Sequence, residues 1–186
     1  MLRISLLPLV CLLISGSALA QLGNDWKINE KESYIIFIAK NLGMSVSGKI
    51  TGMQVTGDYN ATNLLTSKLT GSLDVATIDT GIDLRNNHLR SNDYFDAKKY
   101  PKIIFKTKSI TSEGGVLVAT GDLTIKGVTR EEKIKFTVER KGATRTFTGD
   151  ITILRKNYEL GGNSTLVMAD TIRVRVFVVF ELTVKG

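Results

Sequence analysis

The residues that could carry out chemistry are few, and they lie in one segment near the middle of the chain. His88 is the only histidine, and Ser91 and Asp93 follow it within five positions. A serine, a histidine and an acid can form a hydrolytic triad, in which the acid orients the histidine that activates the serine. However, no Gly-x-Ser-x-Gly turn exposes Ser91, and no oxyanion-binding group is evident near it. We therefore predict that the protein is not an enzyme.

The same segment offers little to a metal ion or a cofactor. A metal site would need further histidines or carboxylates at ligand spacing around His88, and the sequence has no such pattern. The glycine-flanked stretch 121–129 lacks the spacing of a phosphate-binding loop. Cys11 is the only cysteine, and it lies within the first twenty residues. We expect neither a metal nor a cofactor.

Two basic side chains of this segment could nevertheless contact a ligand. We expect His88 to pack on the inner face of a short helix and to hydrogen-bond to the rim of the fold, with ligand contact as the alternative. The planar guanidinium of Arg85 suits a phosphate or another anionic head group. The competing interpretation is a salt bridge from Arg85 to a nearby acid. The candidate acids are Asp79, Asp83, Asp93 and Asp96.

The first twenty residues have the three regions of a secretory signal peptide in order. Arg3 provides the positive start, Ile4–Ile14 is mainly apolar, and Ala18-Leu19-Ala20 has the small residues of a cleavage site. The apolar run is too short to span a bilayer, which needs about 20 residues. The alternatives are a buried N-terminal element or an uncleaved anchor. We predict cleavage after Ala20, a periplasmic or secreted location, and a single domain over residues 21–186.

The charge of the chain narrows the range of partners. The formal net charge is +7, but the basic residues are scattered and no aromatic residues are interleaved with them as stacking platforms. We therefore expect no nucleic-acid binding. A mildly basic surface favours anionic partners, including transient contact with a membrane surface.

Alternation of apolar and polar residues with a period of two dominates the chain after the leader and predicts β-strands. In the last run, one face carries apolar residues only, from Ile172 to Leu182 at every second position. About eight such runs occur, which is a common number for a closed antiparallel barrel. The runs are Ser33–Lys40, Met44–Asp58, Ser67–Ile78, Lys102–Ile110, Val116–Lys126, Glu132–Arg140, Thr146–Leu154 and Ile172–Thr183.

One segment, 83–93, breaks the alternation. Asp83 can cap a short helix that begins at Leu84. Leu84 and His88 are four residues apart and would share one face of that helix, with Leu89 beside them. The fold class predicted from the residues is therefore an all-β barrel of about eight strands with one short helix near 84–93.

Two long motifs resemble the signature of the YceI-like family. They are the stretch from Arg85 to Asp96 with Tyr100, Pro101 and Phe105, and the stretch from Gly121 to Thr129. Trp26, Ile28, Ser33 and Phe37 resemble the family's opening motif, and Arg155 with Tyr158 resembles a later one. The resemblance implies a lipocalin-like antiparallel barrel in an exported bacterial protein that binds a polyisoprenoid, a quinone or a similar amphipathic lipid.

The resemblance also points to ligand contacts within these motifs. The candidates are Phe37, Asn41, Arg85, His88, Leu89, Phe95, Tyr100 and Phe105. The family often has a histidine at the place of Asn41 and an aspartate at the place of Asn86. Since an amide keeps a hydrogen bond but carries no titrating charge, these departures affect the polar end of the ligand site.

A second function class stays open beside lipid binding. Tyr34, Ile36 and Ile38 give one strand a second apolar face, and Phe177 and Val179 do the same for the last strand. Strands that are apolar on both faces suit a subunit contact as well as a cavity. The alternative is a barrel with a filled core that acts in the cell envelope through a homodimer or a partner protein.

Overall fold

The computed structural model describes residues 26–162 and 168–183. The predicted signal peptide lies outside the described residues. The strands are β1 (Trp26–Ile28), β2 (Tyr34–Asn41), β3 (Met44–Ile50), β4 (Gln54–Asp58), β5 (Lys68–Asp74), β6 (Lys102–Glu113), β7 (Val116–Ile125), β8 (Val128–Lys141), β9 (Thr144–Leu154) and β10 (Thr171–Leu182), with one helix, α1 (Asp83–Arg90). Short 3₁₀ turns occupy Leu64–Thr66, Val75–Thr77 and Arg155–Tyr158.

The strands form one curled antiparallel sheet in the order β3-β2-β10-β9-β8-β7-β6-β5-β4, and β1 pairs with the end of β10. The sheet curls into a half-barrel, which confirms the predicted lipocalin-like all-β architecture. Consecutive strands from β4 to β10 are neighbours, so the hairpins between them build most of the wall.

The strand count differs from the prediction because one predicted run is two strands. The run Met44–Asp58 breaks at Thr51-Gly52-Met53, between β3 and β4. Gly52 has a φ of +66°, a conformation that side chains with a Cβ rarely adopt, so the chain can bend sharply there. This bend carries the chain from one edge of the sheet, β3, directly to the other edge, β4. With the short β1, which the sequence analysis missed, the described residues form ten strands.

The segment between β5 and β6 lies across one end of the half-barrel. Its two ends meet where the Val75 N–H donates to the Pro101 carbonyl at 2.9 Å. Lys49 on β3 and Asp79 exchange two backbone hydrogen bonds of 2.8 and 2.9 Å, which attach the segment to the free edge of β3. Helix α1 follows, in place of the predicted helix near 84–93. Asp83 is its first residue and not its cap, since Ile82 takes the N-cap position.

The interior divides into two apolar clusters along the barrel axis. The larger cluster contains Leu73 of β5 and packs against Leu89 and Phe95 of the crossing segment. The smaller cluster lies toward the start of β5, at Leu69, and is mainly aromatic. In it the ring of Phe147 makes edge contacts with Tyr59 and Phe180, at centroid distances of 5.1 and 5.5 Å. Aromatic rings therefore occupy the end of the barrel opposite the crossing segment.

Candidate functional site

An apolar cavity of about 230 Å³ lies inside the half-barrel, between the crossing segment and the aromatic cluster. Its wall is formed by alternate residues of the strands, because successive side chains of a strand point to opposite faces. The inward residues of β10, from Ile172 to Phe180, all line it, as the alternation predicted. The described interior therefore contains a cavity. The alternative function, a barrel that acts through a partner protein, was predicted to have a filled core.

The wall carries no charged side chain among the described residues. The polar residues among those that line it are Ser72, Tyr94 and Thr107. The hydroxyl of Thr107 accepts a hydrogen bond of 2.8 Å from the Leu69 N–H, so it is already satisfied by the fold. The Tyr94 hydroxyl lies 3.8 Å from the sulfur of Met168. Such a wall can hold hydrocarbon but offers nothing to a charged group.

Four of the predicted ligand contacts line the cavity: Phe37, Leu89, Phe95 and Phe105. Phe37 lies over Gly48 of the neighbouring strand, where any Cβ would overlap its ring. Phe105 lies over Gly121 in the same way, and a Cβ there would be 2.9 Å from the Phe105 Cζ atom. Each ring therefore fits the wall because a facing glycine leaves room for it.

The other four predicted contacts, Asn41, Arg85, His88 and Tyr100, are not part of the cavity wall. Asn41 is exposed at the end of β2, where its backbone pairs with Met168. Tyr100 packs on Gly127, where a Cβ would lie 2.7 Å from its ring. Sequence proximity to the motif was not enough to place these side chains in the interior.

Arg85 does not form the predicted salt bridge to a nearby acid. Its Nε donates to the Thr80 hydroxyl and its Nη2 to the Thr80 carbonyl, both at 2.8 Å. No ion pair joins it to a described acid. The guanidinium therefore stabilises the turn that precedes α1.

The prediction that His88 packs on the inner face of the helix is wrong. Its side chain is 60% exposed, with the Asp93 carboxylate 3.9 Å from its Nε2 and the edge of the Tyr94 ring beside it. The Ser91 hydroxyl donates to the His88 backbone carbonyl at 2.7 Å and not to the imidazole. The three side chains are therefore not arranged as a triad.

Asn86 is the residue that α1 turns inward. It is only 5% exposed. Its Oδ1 accepts from the N–H and the hydroxyl of Thr80, and its Nδ2 donates to Asp79 Oδ1 at 3.0 Å. A helix turns about 100° per residue, so Asn86 and His88 lie far apart around the axis and cannot share a face. The Asn86 amide thus serves the fold and is not part of the cavity wall.

Arg155 organises the other loop at this end, a role that the sequence analysis missed. The side chain is completely buried. It donates hydrogen bonds of 2.6–3.2 Å to five backbone carbonyls, those of Leu160, Gly161, Gly162, Met168 and Ala169. Leu160 and Met168 both line the cavity. The pair Gly161-Gly162 after Arg155 was the available signal in the sequence. Glycines adopt backbone conformations that can turn several carbonyls toward one guanidinium.

Three contacts bring the loops of this end together. The Gly161 N–H donates to the Asp93 carbonyl at 2.8 Å, and the Ala169 N–H donates to the Lys40 carbonyl at 2.9 Å. The third is the contact between the Tyr94 hydroxyl and the sulfur of Met168. Loops therefore cover this end of the half-barrel, while the opposite end is packed with rings.

Beside the loops, Tyr158 is buried, and its hydroxyl donates to Glu132 Oε1 at 2.9 Å. Burial raises the pKa of the Tyr158 phenol far above its usual value, and the hydrogen bond to the Glu132 carboxylate adds to the effect. The phenol therefore stays protonated and joins the 3₁₀ turn to β8.

The outer face of β2 and β10 is partly apolar, as predicted. The rings of Tyr34 and Phe177 lie 5.0 Å apart, and Ile36 and Ile38 are half-buried on the same face. Val179, which the sequence placed with them, is buried. A homodimer through this face stays a prediction.

No helix in 26–162 or 168–183 is both long and apolar enough to cross a membrane. Within the same ranges, no three histidine, cysteine, aspartate or glutamate residues come together as metal ligands would.

The chain is similar in sequence to a known family. The model of the YceI-like domain matches residues 26–180. A UPF0312 protein of Staphylococcus aureus is 36% identical over 144 residues, which are 72% of this chain and 81% of that protein. Protein YceI of Escherichia coli is 32% identical over 119 residues, which are 62% of this chain and 61% of that protein.

Solved structures have the same fold. BcnA of Burkholderia cenocepacia superposes with a TM-score of 0.78 at 27% identity, over 82% of this chain and 99% of that one. A polyisoprenoid-binding domain from Saccharophagus degradans, implicated in plant cell wall breakdown, superposes with a TM-score of 0.66 at 16% identity. That likeness covers 85% of this chain and 98% of the domain and is one of fold.

Proposed function

We propose that this chain, which belongs to the YceI-like family, binds the apolar chain of a polyisoprenoid, a quinone or a similar lipid inside its barrel. The observation that carries the proposal is the apolar cavity inside the half-barrel, whose wall has no charged side chain among the described residues. Burying hydrocarbon there stabilises a complex by about 0.8 kcal/mol for each CH₂ group. A charged head group would lose its hydration without a partner, so the head belongs outside the wall.

The two ends of the barrel give the bound lipid a direction. The aromatic cluster of Tyr59, Phe136 and Phe147 occupies one end, so the tail would lie toward it. The head would lie toward the loops around Tyr94, whose hydroxyl is the polar side-chain group of the wall at this end among the described residues. The polyisoprenoid-binding domain with the same fold supports an isoprenoid as the first ligand to test.

We further infer that the protein works after export, in the periplasm or outside the cell. The three regions of the signal peptide within residues 1–20 support this location. The mass of the mature protein tests it, with a chain that begins at Gln21 as the expected result. A mature chain that still begins at Met1 would contradict the proposal.

Lipid exchange at a membrane surface is the partner contact that we propose. Leu42 and Met44 at the β2–β3 turn are 67% and 68% exposed, and Ile82 and Leu84 at the start of α1 are 51% and 82% exposed. The Lys49–Asp79 pairing joins β3, which begins at Met44, to the segment that carries Ile82 and Leu84. Exposed leucines suit an anionic lipid surface when the net charge is positive, and it is +7 for the full chain, of which Arg3 in the predicted leader contributes one.

Flotation with phosphatidylglycerol vesicles tests this contact. Replacing Leu42 and Leu84 with serine should reduce the bound fraction, while Leu65→Ser should leave it unchanged. Leu65 is a matched control, because it is 76% exposed but lies in the separate 3₁₀ turn before β5. Equal binding of all three proteins would contradict a membrane contact at these positions.

Native mass spectrometry tests the lipid site itself. The mature protein is purified from the periplasm, its mass is compared with that of the bare chain, and delipidated protein is then titrated with geranylgeraniol. We expect a lipid adduct as isolated and uptake of one geranylgeraniol afterwards. A bare mass together with no uptake would overturn the proposed function.

A pair of matched variants shows whether uptake occurs in the cavity. Val176→Thr keeps the side-chain shape but places a hydroxyl in the wall, because Val176 lines the cavity. Val116→Thr makes the same exchange at an exposed position on β7. Geranylgeraniol should bind more weakly to the first variant only. Equal weakening in both variants would place the lipid outside the cavity.

A further inference from the structure

Gly71 on β5 is a glycine for which the fold itself gives no reason. Glycine weakens the interior of a strand and usually marks a positive φ, a bulge or a close approach of another group. Gly71 has no positive φ, and a Cβ built on it would meet no atom within 4 Å. It lies in regular register, paired with Val55 of β4 and Phe105 of β6.

The other glycines whose strand positions face the interior are different. A Cβ at Gly48 would overlap the ring of Phe37, and one at Gly121 would overlap the Lys106 carbonyl oxygen and lie 2.9 Å from Phe105 Cζ. A Cβ at Gly149 would lie 2.9 Å from a methyl group of Ile134. At each of these glycines the space that a Cβ would need is thus already occupied by other atoms of the protein.

The open space at Gly71 belongs to the cavity, since Gly71 is part of its wall. Leu69 and Leu73, two residues away on either side, point the same way and also line it. Phe105 pairs with Gly71 from the neighbouring strand β6, but its ring lies over Gly121 on β7 and not over Gly71. The wall therefore has a recess at Gly71, between two leucines, that no described side chain fills.

We propose that Gly71 is a specificity-determining residue whose recess receives the apolar chain of the bound lipid. The lipid would lie on Gly71 as the ring of Phe37 lies on Gly48. This inference rests on the proposed function, because it assigns a position within the same cavity. It follows that the size of the side chain at 71 limits which lipid chains the barrel admits.

The proposal predicts opposite effects on stability and on binding. A side chain at 71 fills empty space and replaces a residue that is unfavourable in strands, so folding should be as stable as in the wild type or more stable. The same side chain takes the place of the lipid, so affinity should fall. A glycine retained only for folding would show the reverse, a lower Tm with unchanged affinity.

The experiment is a series at one position with a control on the same strand. Gly71→Ala, Gly71→Val and Gly71→Leu are compared with Thr70→Val, since Thr70 points to the opposite face and is not part of the cavity wall. Each protein is titrated with geranylgeraniol, and its Tm is measured without lipid. We expect affinity to fall with size, by about tenfold or more for leucine, while Tm does not fall. Thr70→Val should bind like the wild type.

The outcomes separate this inference from the proposed function. If the wild type binds geranylgeraniol and a stably folded Gly71→Leu binds it equally well, the inference about Gly71 is overturned and the lipid site stands. If Gly71→Leu does not fold, Gly71→Ala decides in the same way, with unchanged affinity counting against the inference. If the wild type takes up no geranylgeraniol, the proposed function fails and this inference fails with it.

Discussion

Asn86 Oδ1 accepts two hydrogen bonds from Thr80, one from its N–H at 2.8 Å and one from its hydroxyl at 2.7 Å. Arg85 binds the same threonine from its other side, through the hydroxyl and the carbonyl. Neighbouring residues of α1 thus hold the turn that connects the helix to the edge of β3. Because Leu89 lies in α1 and Phe95 follows the helix, this turn sets the position of two residues of the cavity wall.

Replacing Asn86 with alanine should therefore destabilise the protein. The substitution leaves the Thr80 N–H without its acceptor, and an unsatisfied buried polar group costs about 1–3 kcal/mol. Urea unfolding measures the change. Asn92→Ala is the control, since Asn92 is exposed, and it should lie within about 0.5 kcal/mol of the wild type. Equal stability of the two variants would show that the Thr80 contacts do not matter.

Stability should also fall on acidification because of Asp79. The Gly81 N–H and then the Asn86 amide hydrogen-bond to its carboxylate, and they lower the pKa of Asp79 below its ordinary value of 3.8. A lowered folded-state pKa adds stability that is fully present above the unfolded value. That stability is lost as the pH falls through the lower, folded value.

Urea unfolding of wild type and Asp79→Asn over a pH series tests this effect. The wild type should be the more stable of the two at about pH 6, and the difference should shrink below about pH 4. The expected decrease of this stability difference at low pH follows from the lowered pKa of Asp79. A difference that stays constant between these pH values would show that the carboxylate charge of Asp79 is not involved.

Arg155→Met should destabilise the loop that carries Leu160 and Met168. The variant removes charged hydrogen bonds to five buried or half-buried carbonyls, and such bonds contribute about 1.5–3 kcal/mol each. We expect a loss of at least about 3 kcal/mol, measured by urea unfolding. Arg155→Lys keeps the charge but cannot reach all the carbonyls, so its stability should lie between those of the wild type and Arg155→Met. A methionine variant as stable as the wild type would contradict the role given to Arg155.

The adjacent residues His88 and Leu89 should differ in lipid binding. Leu89 lines the cavity, whereas the His88 side chain is 60% exposed. His88→Ala should leave geranylgeraniol affinity within about twofold, and Leu89→Ala should lower it about tenfold. Titration of both variants measures this. If His88→Ala gave the larger loss, the ligand would lie on the outer side of α1.

Alternation along the strands was enough to predict the barrel and its inward faces. A period of two follows from the geometry of a strand itself, so Ile172 to Phe180 could be assigned to one face without knowledge of their neighbours. The helix near 84–93 was predictable from the loss of that alternation. Its start was misplaced by one residue because Asp83 could either cap the helix or begin it.

Only the tertiary structure decided which motif residues meet the cavity. Leu89 and Phe95 line it, but His88 and Arg85 do not, because the pairing of Asp79 with Lys49 fixes how α1 is rotated against β3. No local pattern contains that long-range contact. The recess at Gly71 shows the same distinction. The sequence identifies a glycine in a strand, but whether a ring covers it depends on where Phe105, on the next strand, turns its side chain.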